Sequence, residues 1–235
     1  MHARDELAHS SPGEAAWFES FDLEYAVADA SLGGHVTLLR WPGLGRAWYW
    51  GSVVQAGALT VTLLETDILL GRPLELRASG IWADQACERP FVHWSYGLEA
   101  FALRLDHPDD ALGAFRGERV PFGFELEWEA AGAPAPTAGG YSQEGRAHGV
   151  LLVGDERVEL DGCGRRGHVW GVGIPPIRPG GRFCGPSGWA DDAPAEVSGA
   201  AVVRLPAPVG MVVRRLLGRS ASGGAGWVNL LERGE

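Results

Sequence analysis

Residues 165–171, Arg-Arg-Gly-His-Val-Trp-Gly, set a guanidinium, a titratable ring and an indole at every second position. On an extended strand side chains alternate between faces, so Arg166, His168 and Trp170 share one face while Arg165, Gly167 and Val169 share the other. His168 is the side chain whose ordinary pKa lies nearest neutrality, which makes it a candidate general acid or base. A neighbouring guanidinium disfavours imidazolium, so Arg166 suits His168 to the role of base. The same row can instead be a structural plug, a Trp packed under an Arg, because the interiors of small barrels are filled by side chains.

If His168 is a base, an acid must come from elsewhere. Glu65 in VTLLETDILL and Glu99 in YGLEAFAL each sit inside an apolar run, and a carboxyl buried there would hold its proton to higher pH. The plainer reading points each to solvent from an alternating strand. Asp161 precedes Gly162 and reads as a turn residue. Ten tryptophans are spread over the chain. They either fill the core or line a cavity whose ring faces favour cations by ~0.5–2 kcal/mol per contact. Trp48, Tyr49 and Trp50 are consecutive, so that strand carries aromatics on both faces. With Trp94, Tyr96, Trp128 and Trp170 they form the candidate substrate wall. No GxGxxG ahead of a helix, Walker loop, GxSxG or HExxH occurs, so no cofactor is expected. The seven histidines include no close pair at metal-ligand spacing, and no metal is expected.

The elements that must position these residues are strands. Phe21, Leu23, Tyr25 and Val27 alternate with Asp22 and Glu24, and Phe122, Phe124, Leu126 and Trp128 alternate with Gly123, Glu125, Glu127 and Glu129. Phe101, Leu103 and Leu105 repeat the pattern. Further strands are expected over 35–40, 47–54, 59–66, 74–78, 150–153, 157–160, 199–205 and 226–231. Residues 109–115 can make one helical turn, and 212–217 are ambiguous between strand and helix. Short strands with tight turns predict an all-β fold, a sandwich or a barrel that removes exposed edges. Residues 83–90 read as a boundary, 130–140 as a loop, and the Gly- and Pro-rich stretch 171–194 as a lid across a barrel mouth.

A net charge of −10 argues against nucleic acid or an anionic membrane as partner, and no apolar run is long enough for a membrane helix. All the basic residues are arginine. Three cysteines without CxxC spacing predict free thiols in a reducing compartment, and the opening residues show no apolar leader, so a cytoplasmic location is expected.

The segment from Tyr141 to Gly171 also carries Gln143, Gly145, Gly149, Gly154, Asp161-Gly162 and Gly164 ahead of Arg166, His168 and Trp170-Gly171. In this pattern the chain resembles the double-lipocalin (calycin-like) superfamily, which includes carotenoid hydratase and tocopherol cyclase relatives. It departs at Gly167, where the signature usually has Asp. The resemblance implies two antiparallel lipocalin-like β-barrel domains packed together, divided here as 1–88 and 89–235. It further implies a hydrophobic polyene, isoprenoid or polyketide-derived substrate of secondary metabolism. The chemistry implied is cofactor-independent cyclisation, pericyclic closure included, or hydration. Arg166 and His168 then bind or polarise a substrate oxygen, and Glu65 or Glu99 supplies the acid. A non-catalytic carrier of an apolar small molecule and a sugar-binding sandwich with exposed indoles remain as alternatives. Fold analogy alone does not choose between them.

Overall fold

Alternating polarity organises the whole chain. The computed structural model describes residues 1–58, 60–112, 116–186 and 188–233, and it is all-β apart from short 3-10 turns at Ala3–Glu6, Pro42–Leu44 and Pro108–Leu112. The first eleven strands are β1 (Trp17–Ala26), β2 (Leu32–Trp41), β3 (Arg46–Gln55), β4 (Thr60–Leu69), β5 (Glu75–Ala78) and β6 (Ile81–Arg89). They continue with β7 (His93–Leu105), β8 (Glu118–Ala130), β9 (Ala135–Thr137), β10 (Gly140–Val153) and β11 (Glu156–Val172). They form one large antiparallel sheet in the order β4-β3-β2-β1-β11-β10-β8-β7-β6-β5, with β9 on β10. β4 also pairs with β7 from Thr60–Leu105 to Thr62–Leu103, so the strand path turns back on itself. A second antiparallel sheet holds β12 (Gly180–Gly185), β13 (Gly188–Asp191), β14 (Pro194–Leu205), β15 (Met211–Ser220) and β16 (Ala225–Arg233), in the order β13-β12-β16-β15-β14.

The all-β expectation is met, in the form of two unequal sheets. Position 88, the end of the expected first domain, falls inside β6, and the large sheet takes strands from both sides of it. Residues 83–89 are therefore strand, with a turn from Pro90, because Ile81, Ala83 and Gln85 alternate inward. The ambiguous segment 212–217 is strand. The stretch 171–194 contributes β12 and β13 to the small sheet, with 173–179 the longest irregular run among its described residues. The helical turn expected at 109–115 is seen over Pro108–Leu112, while 113–115, like residue 59 of the strand expected at 59–66, lie outside the described residues.

Each face of β1 belongs to a different core. Phe21, Leu23 and Tyr25 join Leu38, Tyr49, Trp94, Leu98 and Trp128 in the core of the large sheet. Phe18 on the opposite face joins Leu39, Trp48, Trp50, Val203, Leu205 and Val213 between the two sheets. Gly145 and Gly164 stand opposite each other on β10 and β11. A Cβ at either would come within 2.6–2.8 Å of the Trp128 ring, so the glycines of this hairpin make room for that indole.

Specific bonds lock the small sheet against the large one. Glu24 of β1 accepts from Arg165 of β11 at 2.9 Å and from Arg215 of β15 at 2.5 Å. Trp227 Nε1 donates to the Tyr25 carbonyl at 2.9 Å, and Thr60 Oγ1 donates to the Ala200 carbonyl at 2.7 Å. A disulfide joins Cys163 on β11 to Cys184 on β12, leaving Cys87 as the free thiol. The expectation of three free thiols is thus corrected: two cysteines 21 residues apart meet because β12 folds back onto β11, which no spacing rule reveals.

Burial alone would raise the Glu24 carboxyl, but Arg165 and Arg215 outweigh it and hold the group ionised below its ordinary range. Removing one partner of a buried ion pair leaves the other charge uncompensated, at a cost of ~3–5 kcal/mol. Glu24→Gln is therefore expected to lower unfolding stability by about that amount. Urea titration checks it, and a loss below ~1 kcal/mol would show that the two arginines find other partners.

Candidate active site between the two sheets

The Arg166 face of β11 packs into a closed polar plug. Arg166 is 2% exposed and His168 is 0% exposed. The first 3-10 turn brings Glu6 beneath the large sheet, where it pairs with Arg166 and accepts from the Tyr141 hydroxyl. Glu6 also accepts from Trp94 Nε1 at 2.8 Å and from the Phe91 N–H at 2.9 Å. The Arg166 guanidinium lies 4.7 Å from the Trp94 ring centre and 5.1 Å from that of Trp128. His168 stacks on Phe21 at 4.0 Å, with Nδ1 2.8 Å from the Asp5 carbonyl and Nε2 2.9 Å from Glu19 Oε1. The charge of Arg166 is thus matched by Glu6, and the carboxylate facing His168 is Glu19.

The opposite face of β11 opens on a cavity of about 700 Å³ between the sheets. Its floor carries Ser20, Asp22, Glu24, Thr37, Arg165 and Gly167, and its apolar part includes Leu39, Trp48, Trp50, Val169, Leu205 and Val213. The small sheet adds Arg215 and Trp227. Asp22 accepts from Thr37 Oγ1 at 2.6 Å and from Ser20 Oγ at 2.9 Å, and makes no ion pair among the described residues. Withdrawal from water raises its carboxyl above the ordinary range, and the two hydroxyl bonds and the more distant Arg215 offset this only in part. Asp22 and Glu24 share one strand and differ in their neighbours. The carboxylate held by two guanidiniums is ionised, and the one held by two hydroxyls keeps its proton longer.

Asp22 is also the cross-strand partner of Gly167. A Cβ at position 167 would lie 3.8 Å from Asp22 Oδ2, in ordinary contact. A carboxyl from the adjacent strand therefore stands beside position 167, which has no side chain of its own.

The cleft also contains buried donors without acceptors among the described residues: Trp50 Nε1, Arg165 Nε and Arg215 Nε. A buried donor left unpaired costs ~1–3 kcal/mol, so a water or ligand oxygen that enters the cleft finds donors ready to bind it.

The expected site residues divide between the two faces. Trp48 and Trp50 line the cleft, while Tyr49, Trp94, Tyr96 and Trp128 are buried in the core of the large sheet. Trp170 packs against His9 and His168 at 4.2 and 4.9 Å. Glu65 and Glu99 are exposed and neither lines the cleft, which corrects the expectation of buried acids there, although partial withdrawal from water still raises the Glu65 carboxyl. Their apolar flanks turn inward by alternation while the carboxylates turn out. Sequence reasoning passed over Glu6, Glu19, Asp22, Glu24 and Arg215. The signal for Asp22 and Glu24 is the alternation along β1, but nothing local announces the sheet that covers this face.

A family comparison matches residues 2–173, which span the large sheet from its N-terminal 3-10 turn to the residue after β11. The chain belongs to the DUF7064 family. That family is described as a domain of unknown function, and the small sheet lies beyond the matched residues. No curated protein matches the chain. Solved structures of CghA and of CghA with Sch210972 are similar at 10% identity, with TM-scores of 0.38 and 0.36. Each alignment covers 93% of this chain and 58% of that one, so the chain spans less than two thirds of CghA. TM-scores below 0.5 at this identity establish no common fold.

Two outcomes test the assignment of roles to the DUF7064 sheet. Arg166→Met leaves Glu6 buried without its cation and is expected to cost ~3–5 kcal/mol, with much of that recovered in Arg166→Met/Glu6→Gln, measured by urea unfolding. For Asp22 the folded protein binds the proton more tightly than the unfolded chain does. Wild-type stability therefore falls as pH rises above about 4, the unfolded value for Asp. Asp22→Asn is expected to be spared that fall, so it gains on wild type at pH 7 and the gap narrows toward pH 4. A pH-independent difference would contradict the raised carboxyl.

Proposed function

We propose that the cleft binds a hydrophobic small molecule with an oxygen-bearing polar end and catalyses its cofactor-independent cyclisation or hydration. The observation that carries this reading is Asp22, a carboxyl with raised proton affinity at the border between an aromatic-lined cavity and a cluster of guanidiniums. In this scheme Asp22 protonates an alkene of the substrate, forming a C–H bond and a carbocation. Attack by a substrate oxygen or an alkene closes a ring, or a water molecule adds. The proton then released returns to the Asp22 carboxylate, and no electrons enter or leave.

Each neighbour has a part in the scheme. Trp48 and Trp50 hold the chain in a reactive shape and present ring faces to the cation. Arg165, Arg215 and the Trp50 N–H donate to the substrate oxygen. Arg166, His168 and Glu6 support the floor from behind, one layer from the reacting atoms. A secondary-metabolic role, a lipocalin-like relationship and a cytoplasmic site belong to this reading as well. The cytoplasmic expectation loses one premise, since the Cys163–Cys184 bridge is of a kind that persists mainly in oxidising surroundings. Among the described residues no helix is long and apolar enough to cross a membrane.

The reading is checked with a conjugated polyenoic acid as probe, followed by energy transfer from tryptophan, and with extracted cellular isoprenoids assayed for turnover by mass spectrometry. Trp48→Ala and Trp50→Ala are expected to weaken probe binding about tenfold or more, by loss of a buried aromatic contact. Asp22→Asn is expected to bind the probe as wild type does and to lose turnover by ~10²–10⁴-fold. Binding without turnover in wild type would mark the protein as a carrier instead. Binding unaffected by either Trp change would remove the cleft from consideration.

A further inference from the structure

The histidines show no metal-ligand spacing in the sequence, yet folding brings two of them onto one carboxylate. His9 arrives with the N-terminal segment, Glu19 lies on β1, and His168 lies on β11. His9 Nδ1 is 2.8 Å from Glu19 Oε1, and His168 Nε2 is 2.9 Å from the same oxygen. These ligand-type atoms all lie within 4.8 Å of one another. Glu19 and His168 are fully buried, while a quarter of the His9 side chain remains exposed and leaves one side open to solvent.

The hydrogen bonds around the trio single out its free lone pairs. A carbonyl oxygen only accepts, so His168 Nδ1 carries the hydrogen in its 2.8 Å contact with Asp5 O. In the neutral ring this turns the Nε2 lone pair toward Glu19, the arrangement by which a backbone carbonyl orients a metal-binding imidazole. Arg40 Nη1 takes the other carboxylate oxygen at 2.5 Å, while Oε1 accepts the His9 backbone N–H at 2.8 Å and faces both rings with its remaining lone pair. With the Nε2 lone pair and Oε1 2.9 Å apart, two acceptors confront each other unless a positive centre lies between them. Zn–N and Zn–O bonds of ~2.0–2.2 Å require ligand atoms roughly 3–3.5 Å apart, so the two His–Glu contacts need a spread of only a few tenths of an ångström, and the two imidazole nitrogens, within 4.8 Å of each other, close around the ion.

We propose that His9, Glu19 and His168 bind a divalent first-row transition metal, with the fourth position open toward solvent beside His9. Two imidazoles and one carboxylate form a borderline donor set suited to Zn²⁺, Co²⁺ or Fe²⁺ and poorly suited to Mg²⁺ or Ca²⁺. The site lies on the face of β1 and β11 opposite the cleft, so it stands or falls separately from the cyclase reading. Its evident effect is structural, pinning the segment that carries Asp5, Glu6 and His9 onto the large sheet.

The test uses the full chain freed of metal by a chelator. Equilibrium dialysis against Zn²⁺ is expected to show one tightly held equivalent per chain, and Co²⁺ to give a visible d–d band. Zn²⁺ is expected to raise the unfolding midpoint, as any ligand specific to the folded state does. His9→Ala, which alters a part-exposed side chain and leaves the plug in place, is expected to weaken binding at least tenfold and to remove the thermal shift; Glu19→Gln is expected to do the same. No stoichiometric Zn²⁺ in wild type would overturn the proposal and assign the positive centre to a proton. Binding that persists unchanged in His9→Ala and Glu19→Gln would also overturn it, placing the metal elsewhere, for instance at the surface pair His93 and Glu127.

Discussion

The covering of the polar face of β1 by the second sheet is the constraint on which the rest depends. A strand reading Phe-Asp-Leu-Glu-Tyr would ordinarily leave its carboxylates in water. Here β14, β15 and β16 close over that face, and Glu24 is rescued from burial by two guanidiniums, one from each sheet. The Glu24–Arg165–Arg215 clamp therefore does two things at once. It compensates the charge that the covering sheet buries, and it sets the distance at which that sheet stands off. The standoff leaves an open cleft where Ser20, Asp22 and Thr37 lie next to Trp48 and Trp50.

Strand alternation then separates structure from chemistry on β11. Arg166 and His168 look into the plug, where carboxylates and carbonyls from the N-terminal segment and β1 meet them. Arg165, Gly167 and Val169 look into the cleft. The two rows are one residue out of phase, and a one-residue slip of β11 against β1 would exchange them. Pairing of Asp22 with Gly167 and of Phe21 with His168 fixes the phase, and the aromatic stack of Phe21 on His168 reinforces it. A buried polar plug and a candidate site can thus lie in the same seven residues, on opposite faces of one strand.

Much of the secondary structure was legible. The alternation around Phe21 and around Phe122, and the hairpin closing at Gly154 with φ +63, lie where period-two patterning and turn chemistry put them. β6, β12 and β13 were not, because their apolar positions are small or interrupted: Ala83 and Gln85 in β6, and glycines in β12. The cleft was half legible. Trp48 and Trp50 were visible as aromatics, but their partners Leu205, Val213 and Trp227 arrive from more than 150 residues away. Gly167 looked like a loss when set against the resembling signature. The carboxyl beside it is supplied across the ladder, and cross-strand register cannot be read along a single strand.

The plug and the cleft also show why the acid belongs where it is. In the plug, Glu6 is paired with Arg166 and Glu19 with Arg40. A carboxylate bound to a guanidinium is a poor proton donor, because the cation favours the charged form. Asp22 sits two residues from Glu24 and close enough for Arg215 to be felt, yet its direct partners are hydroxyls, which bond to either protonation state. Were a guanidinium to replace Thr37 or Ser20 as its partner, Asp22 would become another structural anion. The same sheet that buries the acid diverts the nearest cations to Glu24, and that diversion keeps a proton at the border of the apolar cavity.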